Sequence, residues 1–208
     1  MTPRLRQVVT LALIALLGGA LLIALQQLAA PRIEQQRQAA AERALLDLLP
    51  AGSYDNRPLS QPIALPAGGL LGNASAESGY QASLDGQLSA VLLPVTARGY
   101  EGPIRLLVAI SVDGRLLGSK VLQQRETPGL GDSIERQRSP WLRGFDGKSL
   151  ADGEASWTLR ADTDAGQIGQ FDQIAGATVT SRAVKDALQR ALRFFDEQRD
   201  YLLKARQP

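Results

Sequence analysis

The sequence lacks the residue types on which most metal, disulfide and acid–base chemistry depends. Its 208 residues include no cysteine, no histidine and a single methionine, Met1. Disulfide bonds, protein-ligated iron–sulfur clusters, attached c-type haem and the usual zinc sites are therefore excluded, as is Ser-His-Asp or Cys-His catalysis. A metal ion would need oxygen ligands alone, and we expect no metal site and no catalytic residue. Redox chemistry would have to reside in a bound organic cofactor.

Excess charge of one sign is also scarce, because 23 basic residues stand against 21 acidic ones and leave a net charge of +2. The sequence contains no basic block and no patch of interleaved basic and aromatic residues, so nucleic-acid binding is not predicted. A chain of this length typically forms one domain, in this case with an appendage.

The appendage is an uncharged run near the N-terminus. No charged residue occurs from Gln7 to Pro31, and residues 8–30 are long and apolar enough to span a bilayer as a helix. Arg4 and Arg6 precede this run, which predicts a short cytoplasmic N-terminus, residues 1–7. Most of the chain is then expected on the far side of the membrane.

A cleavable secretory signal is the alternative interpretation of this run, with Leu28-Ala29-Ala30 as a weak cleavage site. We favour the uncleaved anchor, because the apolar run exceeds a typical signal core and Pro31 would directly follow the cut. Gly18-Gly19 permits close packing against a partner helix, but small residues are also frequent in membrane helices that serve only as anchors.

Beyond this run the sequence divides into a connecting region, residues 31–87, and a main domain, residues 88–208. Residues 32–49 carry apolar side chains at helical spacing, and Pro50-Ala51-Gly52 ends the predicted helix. Residues 50–87 are rich in proline, glycine, serine and asparagine, which predicts irregular structure.

The main domain begins with short apolar runs separated by turn residues. Strands are predicted over residues 88–97, 104–112 and 115–123, with Asp113-Gly114 as a hairpin signal between the last two. A further strand is predicted over residues 155–160 and a helix over residues 180–203. An antiparallel sheet followed by a packed helix makes an α+β domain.

One local pattern, Asp172 to Ser181 (DQIAGATVTS), leads into the last helix. Composition alone favours an ordinary helix start with Thr180 or Ser181 as the N-cap. The free N–H groups and positive dipole end of a helix start also suit a phosphate. The small residues Ala175, Gly176 and Ala177 leave Thr178 accessible to a bulky group.

Two further patterns are loops that contain glycine. Residues 99–104 (GYEGPI) indicate a tight turn into a strand, and residues 126–132 (ETPGLGD) follow the third strand. The Gly129-Leu130-Gly131 core does not extend to a dinucleotide fingerprint, because Ile134 stands where the last glycine should be. Each loop alone is weak evidence for a ligand.

The chain resembles a known family, because these patterns occur together and in order with the N-terminal run and residues 145–149 (FDGKS). It resembles the FMN-binding G subunit of the Rnf (also called Rsx) ion-translocating electron-transport complex. More distantly, it is similar to the C subunit of the sodium-translocating NADH:quinone reductase. The resemblance covers nearly the whole chain, and the ordered set of motifs is specific although each motif is short.

The resemblance implies that a flavin transferase joins the phosphate of FMN to the hydroxyl of Thr178 through a phosphoester. The transferase would recognise Asp172, Gly176, Ala177 and Thr178, while Ala175 departs from the serine or threonine that is frequent at its position. A phosphoester of this kind needs neither cysteine nor histidine.

The resemblance also implies which residues surround the cofactor. Those against the flavin ring would be Thr127, Pro128, Gly129, Leu130 and Gly131. Those around the phosphate would be Gly176, Ala177 and Thr180.

The main domain would be periplasmic on a bacterial inner membrane, with the other membrane and redox subunits of the complex as partners. The complex couples electron transfer, between ferredoxin and NAD in the usual case, to ion movement. The chain itself would bind neither nicotinamide nor ferredoxin and would have no independent catalysis.

Two other functions stay open at this point. The chain could be a C-type subunit of the sodium-translocating quinone reductase, although its compact length favours the Rnf type. It could also be a cofactor-free, membrane-tethered module that scaffolds a complex or binds a periplasmic ligand, in which case removal of the Thr178 hydroxyl would have no effect.

Overall fold

The computed structural model describes residues 46–135, 140–160 and 171–204, together with residues 16, 18, 19, 42 and 137. Almost all of the predicted membrane helix over residues 8–30, and most of the connecting helix predicted over residues 32–49, lie outside these residues. Among the described residues, no helix is both long and apolar enough to cross a bilayer. The chain divides into two compact units, Met1–Asp47 and Leu48–Pro208, and the second contains all the elements described below.

A five-stranded antiparallel sheet forms the centre of the second unit, with its strands in sequence order. The strands are β1 (Pro62–Leu65), β2 (Glu77–Leu84), β3 (Gln87–Arg98), β4 (Pro103–Ser111) and β5 (Leu116–Gln123). The hairpin at Asp113-Gly114 joins β4 to β5 as predicted, and Gly114 takes the positive φ of +80° that this turn requires.

The register of the sheet brings two connections to one edge. Arg98 at the end of β3 pairs with Pro103 at the start of β4, and Arg105 in β4 pairs with Gln123 at the end of β5. The turn between β3 and β4 and the loop after β5 therefore leave the sheet side by side. These are the two glycine-containing loops of the sequence.

Two helices follow in the C-terminal part of the chain, α1 (Thr178–Glu197) and α2 (Arg199–Leu203). Apolar side chains at helical spacing on α1 are buried with those of β3 and β4 in one hydrophobic core. The helix residues in this core include Val184, Leu188, Ala191, Leu192 and Phe195. Arg190 donates hydrogen bonds to the carbonyl oxygens of Leu70 (3.1 Å) and Thr96 (2.9 Å), which fixes α1 along the sheet. The α+β prediction is confirmed.

Short 3-10 helices connect β5 to α1 within the described residues: Gly131–Ile134, Trp141–Phe145, Leu150–Asp152 and Glu154–Trp157. Trp157 is buried and stacks on Phe145 with 5.9 Å between ring centroids. Two short parallel strands, β6 (Leu159–Arg160) and β7 (Phe171–Asp172), precede α1.

Three predictions about local structure are wrong. Residues 50–87 are not irregular throughout, since β1 and β2 lie there; their weakly apolar sequence is stabilised by pairing with the sheet. The strand predicted over residues 155–160 is mostly the 3-10 helix that buries Trp157, and only Leu159–Arg160 is extended. The last helix begins at Thr178, two residues earlier than predicted.

Candidate functional site

A cavity of about 430 Å³ opens where the β3–β4 turn, the loop after β5 and the start of α1 meet. The turn contributes Tyr100 to its lining. The loop contributes Glu126, Thr127, Leu130 and Gly131, and the helix start contributes Gly176, Ala177, Thr178, Val179 and Thr180. The fold thus brings together segments that lie far apart in the sequence.

A buried carboxylate lies between these segments. Glu126 is only 4% exposed, and its carboxylate accepts hydrogen bonds from the backbone N–H groups of Tyr100 (3.1 Å) and Glu101 (3.2 Å). It also accepts a short hydrogen bond from the hydroxyl of Thr180. Three donors satisfy the carboxylate, which removes most of the cost of burying it.

Two glycines make room for this carboxylate. A Cβ atom added to Gly131 would lie 2.7 Å from the Cβ of Glu126 and 3.2 Å from the hydroxyl oxygen of Thr180. A Cβ atom added to Gly99 would overlap with Oε1 of Glu126. One glycine of each loop motif, Gly99 and Gly131, is therefore required by the close approach of the backbone to Glu126.

The start of α1 forms the opposite wall of the cavity. Gly176, with a φ of +73°, turns the chain, and Ala177 is the N-cap residue and makes no side-chain cap. The predicted N-caps, Thr180 and Ser181, instead lie within the helix; the hydroxyl of Ser181 accepts from the N–H of Ile174 and donates to the carbonyl of Ala177. The first N–H groups of a helix have no intrahelical acceptor, so this wall favours an anion.

The two threonines of the helix start have different surroundings. Thr178 is exposed and lines the cavity, and its hydroxyl donates to the side-chain oxygen of Gln173 at 3.1 Å. Thr180 is 1% exposed, and its hydroxyl is held by Glu126. Thr178 is therefore the accessible hydroxyl, whereas Thr180 is part of the framework.

The structure brings most of the predicted site residues together. Those that line the cavity are Thr127, Leu130, Gly131, Gly176, Ala177, Thr178 and Thr180. Pro128 and Gly129 lie in the same loop but not in the lining. Gly129 has a φ of +81° and donates its N–H to Asp132 at 2.8 Å, which indicates a role in shaping the loop.

Asp172 lies apart from the cavity. Its carboxylate pairs with the guanidinium of Arg160 at 2.6 Å, and its carbonyl accepts from the indole N–H of Trp141 at 2.6 Å. The side chain is 70% exposed. Asp172 is therefore accessible to another protein but does not line the cavity.

The FDGKS motif is structural. Phe145 is buried in the core, and Gly147 turns the chain with a φ of +84°. The backbone around this turn is hydrogen-bonded to Leu116, with Gly147 donating at 2.6 Å and Lys148 accepting at 2.8 Å.

Reasoning from the sequence missed the role of Glu126 and the position of Tyr100. Both residues lie in the quoted motifs, but no role was assigned to either. An acidic residue between a strand and a pair of glycines was the available signal for Glu126. Its partners are 25, 26 and 54 residues away in the sequence, so their identity depended on the fold.

Comparison with known proteins assigns the chain to a family. An FMN-binding domain family matches residues 99–193, and the RnfG N-terminal region matches residues 2–48. The G subunit of the ion-translocating oxidoreductase complex of Pseudomonas aeruginosa is 49% identical over 96% of this chain and 92% of its own length. The chain belongs to the G-subunit family of these complexes. The corresponding protein from Vibrio cholerae is 38% identical over 92% of this chain and 90% of its own length.

The resemblance to the Rnf G subunit seen in the sequence is thus confirmed. This chain is an electron-transport subunit with an FMN-binding domain, and the residues around the cavity all lie within the matched range 99–193. The crystal structure of Shewanella oneidensis NqrC superposes with a TM-score of 0.50, at 25% identity over 74% of each chain. The C-type resemblance therefore holds at the level of the fold.

The fit of Gly131 against Glu126 can be tested by Gly131→Ala. Its added methyl group meets the Cβ of Glu126 and the Thr180 hydroxyl, so we expect the free energy of unfolding to fall by about 1–3 kcal/mol. Gly102→Ala is the matched control, because no atom lies within 4 Å of its added Cβ and its φ is not positive. Urea unfolding of both variants measures the difference. Equal midpoints for the two variants would contradict the packing described.

Proposed function

We propose that this chain carries FMN bonded through its phosphate to the hydroxyl of Thr178, and that it passes electrons within an Rnf-type complex. The observation that carries this proposal is the position of Thr178, the accessible first residue of α1, on the wall of the cavity. The flavin, when bound, supplies the electron-transfer chemistry that the side chains of this chain lack.

The residues of the cavity fit the phosphate end of FMN. The helix start offers backbone N–H groups and the positive end of the dipole to an anion. Gly176 and Ala177 line the cavity beside Thr178, and their small size leaves room there for a bulky group. A phosphate ester at Thr178 would thus lie where the helix stabilises its charge.

The residues of the opposite wall fit the ring end. Thr127, Leu130 and Gly131 face the helix start across the cavity, and Leu130 is 41% exposed although it is apolar. An exposed apolar side chain beside a cavity gains stability when a flat apolar ring covers it. We propose that Pro128 and Gly129 shape this loop around the ring.

Neighbouring hydroxyls do not compete with Thr178 as the attachment point. The Thr180 hydroxyl is buried against Glu126, and the Ser181 hydroxyl is buried in two hydrogen bonds to the backbone. Thr127 is half-buried, and its hydroxyl donates to Glu101 at 2.5 Å. A flavin transferase would approach the segment from Asp172 to Thr178, whose two end residues are exposed, with Asp172 as part of its recognition site.

The remaining parts of the proposal concern the membrane. Residues 8–30 anchor the chain in the inner membrane, with residues 1–7 in the cytoplasm and the FMN-binding domain in the periplasm. The uncharged run and the arginines before it support this topology. The other membrane and redox subunits of the complex are the partners.

The linkage is tested by Thr178→Val, which removes the hydroxyl but keeps the size of the side chain. Full-length protein made with its flavin transferase should show the mass of FMN less water in wild type, and no adduct or in-gel flavin fluorescence in the variant. Thr178→Ser should retain the adduct. Thr158→Val is the matched control, because it removes the hydroxyl of an exposed threonine that does not line the cavity, and it should keep the adduct. Unmodified wild-type protein, or a modified Thr178→Val, would refute the linkage.

The topology is tested by adding protease to spheroplasts of a host that produces the full chain. The FMN-binding domain should be digested in intact spheroplasts, because the proposal places it outside the inner membrane. Digestion only after the spheroplasts are lysed would place the domain in the cytoplasm and contradict the topology.

A further inference from the structure

Glu126 contacts all the segments that surround the cavity. It belongs to the loop after β5, it accepts the N–H groups of Tyr100 and Glu101 in the β3–β4 turn, and it accepts the hydroxyl of Thr180 in α1. Its own N–H donates to the side-chain oxygen of Gln124 at 2.5 Å, so its backbone is held as well. One side chain thus joins the turn, the loop and the helix start.

The contact with Thr180 has no substitute. Within the described part of the chain, it is the one hydrogen bond between residues 126–131 and residues 176–181. The other close approaches of these segments, Leu130 over Gly176 and Gly131 beside Thr180, are packing contacts. The Glu126–Thr180 hydrogen bond is therefore the directional contact that orients the helix start relative to the loop.

We infer that Glu126 is a positioning residue that holds the loop at the ring end and the helix start at the phosphate end in the geometry needed for flavin attachment to Thr178. This inference rests on the proposed function. Glu126 acts through Thr180, which places the backbone of α1, and Thr178 lies half a turn earlier on the same helix. A shift of this wall by a fraction of an ångström moves the Thr178 hydroxyl relative to a flavin bound against the loop.

The three donors around Glu126 explain why glutamine cannot replace it. A carboxylate offers two acceptor oxygens, whereas an amide offers one oxygen and one NH₂ donor. The N–H groups of Tyr100 and Glu101 bond to different oxygens of Glu126, so in Glu126→Gln the NH₂ group must face one of these two N–H groups whichever way the amide is turned. The variant keeps the shape of the side chain but leaves one of these donors unsatisfied, and it replaces the charged acceptor of the Thr180 hydroxyl with a neutral amide, which binds the hydroxyl more weakly.

The test is a time course of flavin attachment, followed by intact mass, on full-length protein incubated with its flavin transferase and flavin donor. We expect Glu126→Gln and Thr180→Val each to lower the initial rate by about tenfold. The double variant should be no slower than the slower single variant, because both changes act on the same Glu126–Thr180 hydrogen bond, which Thr180→Val removes and Glu126→Gln weakens. Glu154→Gln, the same chemical change at a carboxylate that is 82% exposed, is the matched control and should react at the wild-type rate.

Two further measurements separate positioning from a general loss of structure. Thr180→Ser restores the hydroxyl and should recover most of the rate that Thr180→Val loses. The midpoint potential of the attached flavin should become more positive in Glu126→Gln, which removes a negative charge from the cavity lining, and should stay near wild type in Thr180→Val, which keeps it. A merely structural role of Glu126 does not predict that the potential changes in Glu126→Gln and stays near wild type in Thr180→Val.

Each result bears on the inference. Any one of three results would overturn it. Glu126→Gln could react at the wild-type rate, the rate losses of the two single variants could multiply in the double variant, or Thr180→Ser could react as slowly as Thr180→Val. These results leave the proposed function intact, because wild type still carries the adduct. Wild-type protein without an adduct would overturn the proposed function, and this inference with it.

Discussion

The buried carboxylate of Glu126 is the interaction on which the site depends. Removing a carboxylate from water is unfavourable unless donors surround it, and here two backbone N–H groups and one hydroxyl do so. These donors belong to the β3–β4 turn and to α1, which meet the loop after β5 at one end of the sheet. The same requirement accounts for the glycines at positions 99 and 131, since a side chain at either position would occupy the space of Glu126.

The sheet and α1 make this arrangement rigid. The core between β3, β4 and α1 fixes the helix against the sheet, and Arg190 adds two hydrogen bonds to the carbonyl oxygens of Leu70 and Thr96. A cofactor attached to the first residue of α1 would therefore be held at a defined position relative to the sheet. Electron transfer between carriers depends on a defined distance, so a rigid attachment point suits the proposed function.

The sequence was informative where local patterns decide the structure. Alternating apolar runs and Asp113-Gly114 predicted the strands β3, β4 and β5, and helical spacing predicted α1. The weak strands β1 and β2 were not predictable, because their formation depends on pairing, β2 with β3 and β1 with β2, rather than on their own residues. The strand predicted over residues 155–160 contains Trp157, but in the structure this side chain is buried against Phe145 within a 3-10 helix.

The site was partly predictable for the same reason. The motifs identified which loops matter, and the cavity brings seven of the residues expected around the cofactor together. The division of roles between Thr178 and Thr180 was not predictable, since it follows from Glu126, which lies 54 residues before Thr180. The helix start at Thr178, two residues earlier than composition indicated, exposes one hydroxyl and buries the other.

The most direct test of this account is to locate the flavin phosphate within the wild-type chain. Trypsin releases residues 161–182 as one peptide, whose hydroxyl-bearing residues are Thr163, Thr178, Thr180 and Ser181. Fragmentation of this peptide in the mass spectrometer should place the whole added mass on Thr178. Added mass on Thr180 or Ser181 would contradict the account, because the structure holds both of those hydroxyls in buried hydrogen bonds.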